Sequence, residues 1–287
     1  MKYKKFLVTG SLGQLSREVQ GILSVRNIDF IAPSEKVWDI TDFKKTKEII
    51  NEVKPDIIIN CAAYNLVDEA EGNPELADLV NNKAVENLAK ICKENKIFLV
   101  HYSSDYVFDG EKQDLYIEED LPNPLNEYGK SKLKGELAVK ENLSDYLIFR
   151  LSWVIGRGKQ NFLYKLRQWA EKSKVLKITA DEVSVPTYTE DIVNITLTSL
   201  EKEITGLFHL TNSGYASRYE LAKYFLNKMG AENIIVPVSI NNFKTKAKRP
   251  MFSAMDNSKI SETLDIVIPT WEESTDEFVN IFREEFL

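Results

Sequence analysis

Residues 4–15 read Lys-Lys-Phe-Leu-Val-Thr-Gly-Ser-Leu-Gly-Gln-Leu, and no other stretch restricts the fold as much. The apolar run at 5–9 reads as a buried strand. Val19, Ile22 and Leu23 then recur at helical spacing. Between them lie Gly10, Ser11 and Gly13, with Gln14 and Leu15 at the start of the helix. Gly10 permits a tight turn, and Gly13 lets the backbone come close to a pyrophosphate. The helix N-terminus adds free N–H groups and a partial positive charge. Ser16 occupies the last small position, where glycine is more usual, so the loop needs its context to carry weight.

That context is supplied down the chain. Residues 27–32 read as a second strand, followed by Pro33-Ser34-Glu35-Lys36. Ser34 and Lys36 suit a ribose 2′-phosphate, whereas Glu35 suits a free 2′-hydroxyl; the sequence leaves both open. Asp39 and Ile40 come next in the candidate nucleotide cleft, with Thr41 as the expected N-cap of a helix through Val53. Residues 55–60 form a strand dominated by Ile57, Ile58 and Ile59, apolar enough to be buried on both faces. It runs into Cys61, Ala62, Ala63 and Tyr64, small enough at first for a flat cofactor to pass. A long helix is expected at 73–93, a fourth strand at 97–103 and a fifth at 146–150. Strand and helix in alternation mean a doubly wound parallel sheet of Rossmann type.

The chemistry concentrates in residues 99–132. The strand there ends in Ser103-Ser104, and a helix downstream carries Tyr128 and Lys132, four apart and so on one face. An ammonium beside a phenol favours phenolate and lowers its pKa from about 10. A serine hydroxyl orients a carbonyl. Together a serine, Ser103 or Ser104, with Tyr128 and Lys132 makes a proton donor for carbonyl reduction. The spacing alone is weak, because Tyr219/Lys223 and Tyr224/Lys228 share it within an amphipathic stretch. The loop at 108–126 is long, acidic and proline-bearing, as functional loops often are.

Beyond Arg150 the rhythm breaks. Helices are expected at 161–171, 189–200, 218–229 and 271–286, an extended loop at 183–188 and a short strand at 207–210. We read residues 1–150 as a dinucleotide-binding domain, with return segments from about 176–212. Residues 151–287 are mainly a smaller mixed α/β substrate-binding lobe. Net charge is −7 and 28% of residues are charged, which argues against nucleic acid as the main partner. No apolar run has the length of a membrane span. Cys61 and Cys92 are the only cysteines, read as buried thiols of a reducing cytoplasm. His101 and His209 are isolated, so no metal site is expected.

Several blocks resemble one family. They include Thr9-Gly10-x-x-Gly13, Cys61-Ala62-Ala63-Tyr64, Val67-Asp68-x-Ala70-Glu71 and Ser103-Ser104-Asp105-Tyr106-Val107-Phe108-Asp109-Gly110. Asn123-Pro124-Leu125-x-x-Tyr128-Gly129-x-Ser131-Lys132, Arg150-x-Ser152-Trp153-Val154-x-Gly156, Asn161-Phe162, Pro186-Thr187-Tyr188 and Lys248-Arg249-Pro250 continue the likeness. The chain is similar to the dTDP-4-dehydrorhamnose reductases, among the extended short-chain dehydrogenases/reductases, over nearly its whole length. The resemblance implies hydride delivery from NADPH or NADH to the C4 ketone of a nucleotide-linked deoxysugar, most simply dTDP-4-dehydro-L-rhamnose. Tyr128 would be the proton donor and Lys132 the ribose ligand, with Ser104 where threonine is usual. Val67, Asp68, Asp105, Tyr106, Trp153 and Asn161 would line the sugar-nucleotide site, and Arg249 would meet the diphosphate. A homodimer is compatible with this reading. Ser16, Asn65, the 181–186 segment and Arg218, which stands at a usual tryptophan, depart from the family pattern. The resemblance also extends to the non-catalytic β subunit of methionine adenosyltransferase and to sugar-nucleotide epimerases and dehydratases. The catalytic set argues against the former. For the latter, the mark would be bound NAD that dialysis does not remove.

Overall fold

The computed structural model describes residues 2–286. The first half runs β1 (Lys5–Val8), α1 (Gln14–Val25), β2 (Asp29–Ile31), α2 (Phe43–Val53), β3 (Ile57–Asn60), α3 (Val67–Ala70), α4 (Pro74–Asp78), α5 (Ala84–Asn95), β4 (Phe98–Ser104), α6 (Glu127–Asn142) and β5 (Tyr146–Leu151). The second runs β6 (Val154–Ile155), α7 (Phe162–Lys172), β7 (Val175–Thr179), β8 (Val183–Ser184), β9 (Thr187–Tyr188), α8 (Thr189–Glu201), β10 (Gly206–His209), β11 (Ala216–Ser217), α9 (Arg218–Lys228), β12 (Ile234–Val238), α10 (Ser258–Leu264) and α11 (Trp271–Phe286).

Six strands form one sheet in the order β10-β5-β4-β3-β1-β2, and every pairing in it is parallel. The alternation of side chains explains why the strands are apolar throughout. Phe6, Val8, Ile57, Ile59 and Val100 join the core facing α1 and α8, while Leu7, Ile58 and Leu99 join the core facing α2 and α5. A sheet covered on both faces buries both sets.

A third core, from Ile155, Leu163, Leu166, Tyr188, Phe225, Phe278 and Phe282, holds the other lobe. It contains β7 and β12, which pair in parallel. The sequence reading has no strand at either position. The 183–188 segment, expected as a loop, supplies two short strands, with β8 against β11 and β9 against β6. Residues 176–188 therefore lie with this lobe, whereas α8 and β10 return to the first layers. The expected single helix at 73–93 is interrupted by a π turn at Leu79–Lys83. Thr41 is not the cap of α2: Asp42 accepts from the Lys45 N–H at 2.9 Å, and Thr41 instead donates to Asp39. The carboxylate sits three residues before the donor it satisfies, the usual capping geometry.

Candidate active site

The nucleotide cleft forms at the carboxyl ends of β1 and β3. Gly10 has φ of +63°, and a Cβ there would stand 2.9 Å from the Ala62 backbone. Only glycine fits. Gly13 is the N-cap of α1 without a side-chain cap, so no capping side chain takes up the first N–H groups of the helix. The Thr9 hydroxyl donates to Asn60 at 2.6 Å and accepts from the Ala62 N–H at 3.0 Å, locking the two strand ends together. Gln20 ties the loop to the helix through the Ser11 carbonyl, and Ser16 is fully buried beneath it. These features fit a dinucleotide: a shaped glycine turn, an open helix start and small residues at the strand end.

The cleft, about 520 Å³, is walled by Gly10, Ser11, Gly13, Asp39, Ile40, Cys61, Ala62, Ala63 and Tyr64 of the expected set. Leu12, Glu35, Trp38, Asn65, Leu76, Val80 and Gln160 also line it. Of the strand-end residues, Glu35 is in the wall while Ser34 and Lys36 are not. Gln14 lies toward the second lobe, its amide near the Val154 carbonyl and Asn161. Leu15 packs on the core. Of the wall residues that sequence reasoning missed, Leu12, Trp38 and Asn65 adjoin segments already singled out, whereas Leu76, Val80 and Gln160 arrive from α4, the π turn and the 156–161 loop, where nothing local in the sequence marks them.

The second half of the site stands at the end of β4. Ser104 caps a single 3₁₀ turn, accepting from the Tyr106 N–H at 3.1 Å, and the turn places Tyr106 edge-on to Tyr128 with ring centres 5.8 Å apart. The start of α6 is held twice. Asn126 accepts from the Gly129 N–H and donates to the Lys248 carbonyl, both at 2.8 Å. Glu71 accepts from the Glu127 N–H at 2.8 Å. At Gly129 a Cβ would come within 2.1 Å of the Tyr106 carbonyl oxygen, so the helix can sit this close only with glycine there. Tyr128 is thereby fixed beside Ser104.

Tyr128 is enclosed enough that burial pushes its pKa up to about 12, with the Ser104 hydroxyl opposing. This corrects the expectation of a phenol lowered by lysine. The Lys132 ammonium is turned into the protein, donating to the Tyr102 carbonyl at 2.6 Å, and burial outweighs any help it gives the phenol. Lys132 itself falls to about 8, mainly by burial, with Glu136 acting the other way. Ser103 is buried, with its hydroxyl unpartnered, and is not turned to Tyr128.

The remaining expected site residues divide. Asp105 is 2% exposed and accepts from Ser253 at 2.6 Å and Ser184 at 2.8 Å, with Ser104 at 3.1 Å on its other oxygen. It is buried and braces Ser104, with both carboxylate oxygens taken by serine hydroxyls. Asn161 is likewise spent: its side chain caps α7 through the Tyr164 N–H and donates to the Gly156 and Gly158 carbonyls. Val67 and Asp68 lie on α3. Asp68 grips Arg249 through two bonds, at 2.6 and 3.2 Å, and that contact holds its carboxyl below the usual range. Trp153 has φ of +35°, rare for a bulky residue and a mark of a constrained site. Arg218 lies over its indole.

A glycine loop under a parallel sheet, facing a serine, a tyrosine and a lysine at the next strand end but one, is the layout of a short-chain dehydrogenase/reductase. The chain belongs to the RmlD substrate binding domain family, whose profile matches residues 4–284. It is 34% identical over 284 residues to a dTDP-4-dehydrorhamnose reductase of Burkholderia thailandensis, covering 93% of this chain and 95% of that one. The solved structure of a dTDP-4-dehydrorhamnose reductase from Clostridium acetobutylicum superposes with a TM-score of 0.94 at 34% identity, covering 97% and 99% of the two chains. That of the Bacillus anthracis enzyme, in complex with NADP, gives 0.94 at 31% identity and the same coverage.

Among the described residues no helix is long and apolar enough to cross a membrane, and no group of side chains is set to hold a metal ion.

Proposed function

We propose that this protein reduces the C4 ketone of a dTDP-linked 4-dehydro-6-deoxysugar, dTDP-4-dehydro-L-rhamnose by preference, with NADPH or NADH. The observation that carries the reading is the Ser104–Tyr128 contact at the end of β4, two strands from the glycine loop, with Lys132 one turn further along α6, in a chain similar over more than nine-tenths of its length to dTDP-4-dehydrorhamnose reductases. The nicotinamide supplies hydride when bound. Tyr128 keeps its proton at neutral pH and gives it to the forming alkoxide. Ser104, braced by Asp105, holds the ketone oxygen near that proton. Lys132 binds the nicotinamide ribose and steadies the charge that develops on the phenol. The test is direct: the protein is mixed with the keto sugar nucleotide and NADPH, and reduced-nicotinamide absorbance is followed. No decay with a verified substrate would overturn the reading.

Lys132 gives this site a pH dependence. Its ammonium is lost near pH 8 in the free enzyme, well below the ordinary lysine value. Only the charged form has two N–H groups for ribose hydroxyls while the third donates to the Tyr102 carbonyl. Cofactor affinity is therefore full below about pH 8 and declines as pH rises through it. A plot of log Kd against pH should break there in wild type and show no such break in Lys132→Met. A break of equal size in the variant would assign the titration elsewhere.

A further inference from the structure

Two arginines face one cavity of about 450 Å³ in the second lobe, walled also by Trp153, Phe162, Lys165 and Glu182. They are not equivalent. Arg249 is committed: besides its two bonds to Asp68, it donates to the Ala247 carbonyl at 3.2 Å and lies 3.8 Å from Glu182. Those bonds tie the 246–249 segment to α3, since Asp68 also accepts from the Lys246 and Ala247 N–H groups.

Arg218 is different. Its guanidinium carbon stands 3.6 Å from the centre of the Trp153 ring and 5.0 Å from that of Phe162. Among the described residues it has neither a side-chain hydrogen bond nor an ion-pair partner. The acids closest to it are engaged elsewhere: Glu182 accepts from Thr179 and faces Arg249, and Asp105 is bonded by serines. An aromatic face satisfies the cation's charge but takes none of its in-plane N–H donors. Arg218 is half-buried, its donors left to water in the free protein, and a planar fork held against a ring is already oriented for two phosphate oxygens. The charges agree. Arg218, Arg249 and Lys165 outnumber Asp68 and Glu182 around the cavity, so it draws an anion. Tyr106, edge-on to Tyr128, feels the charge of both Arg218 and Arg249.

We propose that Arg218, seated on Trp153, is the residue that grips the diphosphate of the nucleotide sugar, and that Arg249 is a strut between α3 and the 246–249 segment. The assignment rests on the functional reading above and moves the diphosphate contact from the arginine chosen from sequence to the one with unspent donors. Binding of dTDP and of thymidine, which lacks the diphosphate, is measured by calorimetry on the full chain. The proteins are wild type, Arg218→Gln, Arg218→Lys and Arg249→Gln. Arg218→Gln should weaken dTDP about tenfold or more while thymidine and NADPH affinities stay within about twofold. Arg218→Lys, which keeps the charge but not the fork, should recover part of the loss. Arg249→Gln should lower the melting temperature while leaving the dTDP-to-thymidine affinity ratio within about twofold of wild type. Undiminished dTDP affinity in Arg218→Gln overturns the proposal, as does an equal loss for thymidine. A wild type that reduces the keto sugar while Arg218→Gln keeps its dTDP affinity sinks this assignment alone. A wild type that neither binds dTDP nor reduces the sugar sinks the functional reading with it.

Discussion

Tyr128→Phe should lower kcat about 10²- to 10⁴-fold, the usual worth of a positioned general acid. The melting temperature should hardly move. The substitution removes one hydroxyl whose neighbour, Ser104, keeps its bonds to Asp105 and the Tyr106 N–H. The ring retains its edge-on contact with Tyr106. Because burial holds the phenol's pKa at about 12, the group is protonated throughout the neutral range, as a donor must be. Tyr219→Phe and Tyr224→Phe serve as controls. Both lie on α9, and Tyr224 packs against Trp271 at 5.2 Å, in the second lobe's core. Stopped-flow and steady-state rates decide the matter. A Tyr128→Phe enzyme at wild-type rate, beside a crippled control, would place the chemistry on the wrong helix.

Glu136→Gln should be the most destabilising single change near the site. Glu136 and Arg150 are 0% and 2% exposed and meet through two bonds, at 3.0 and 2.8 Å. The arrangement is closed on all sides. Phe108 lies 5.0 Å from the guanidinium, and His209, kept neutral by burial, donates from Nδ1 to the Tyr116 carbonyl and so accepts from Arg150 at Nε2. Removing the carboxylate strands a buried cation, which costs about 3–5 kcal/mol. That corresponds to a fall in Tm on the order of 10 °C. Replacing both partners, Glu136→Leu with Arg150→Met, should recover most of the loss, because the pair's attraction only offsets its own desolvation. Thermal melts of the single and double variants check this. A single variant within about 1 kcal/mol of wild type would show that water reaches Arg150.

What the sequence made legible was local. The Gly10 turn is marked by its own need for a left-handed backbone, and strands such as Ile57-Ile58-Ile59 declare their burial by composition. Tyr128 and Lys132 could be placed on one helix face by spacing. The misreadings were of partners far apart in the chain. Asp105 looked like a cleft residue because its serines come from positions 184 and 253, and Arg249 looked free because Asp68 lies 181 residues away. The pairing of β7 with β12 escaped for the same reason: two short strands brought together across more than fifty residues leave no local pattern.

The π turn at Leu79–Lys83 has a consequence for how this chain tolerates change in length. Asn81 sits in that turn with its side chain fully used: it accepts from the Tyr64 N–H and donates to the Tyr64 carbonyl and to Ser131 on α6, all at 2.9 Å. Its own carbonyl lies so near α6 that a Cβ at Gly135 would come within 2.2 Å. One residue thus clamps the cofactor-side loop to the helix that carries Tyr128 and Lys132. The clamp exists because the widened turn accommodates one residue more than an α-helical turn would. Deleting a single residue there would restore ordinary helix and swing Asn81 by roughly a third of a turn, away from both partners. In most helices an insertion or deletion is felt as a shifted surface; in this one, residue count is itself a structural constraint, and the two halves of the site keep their spacing only while it is respected.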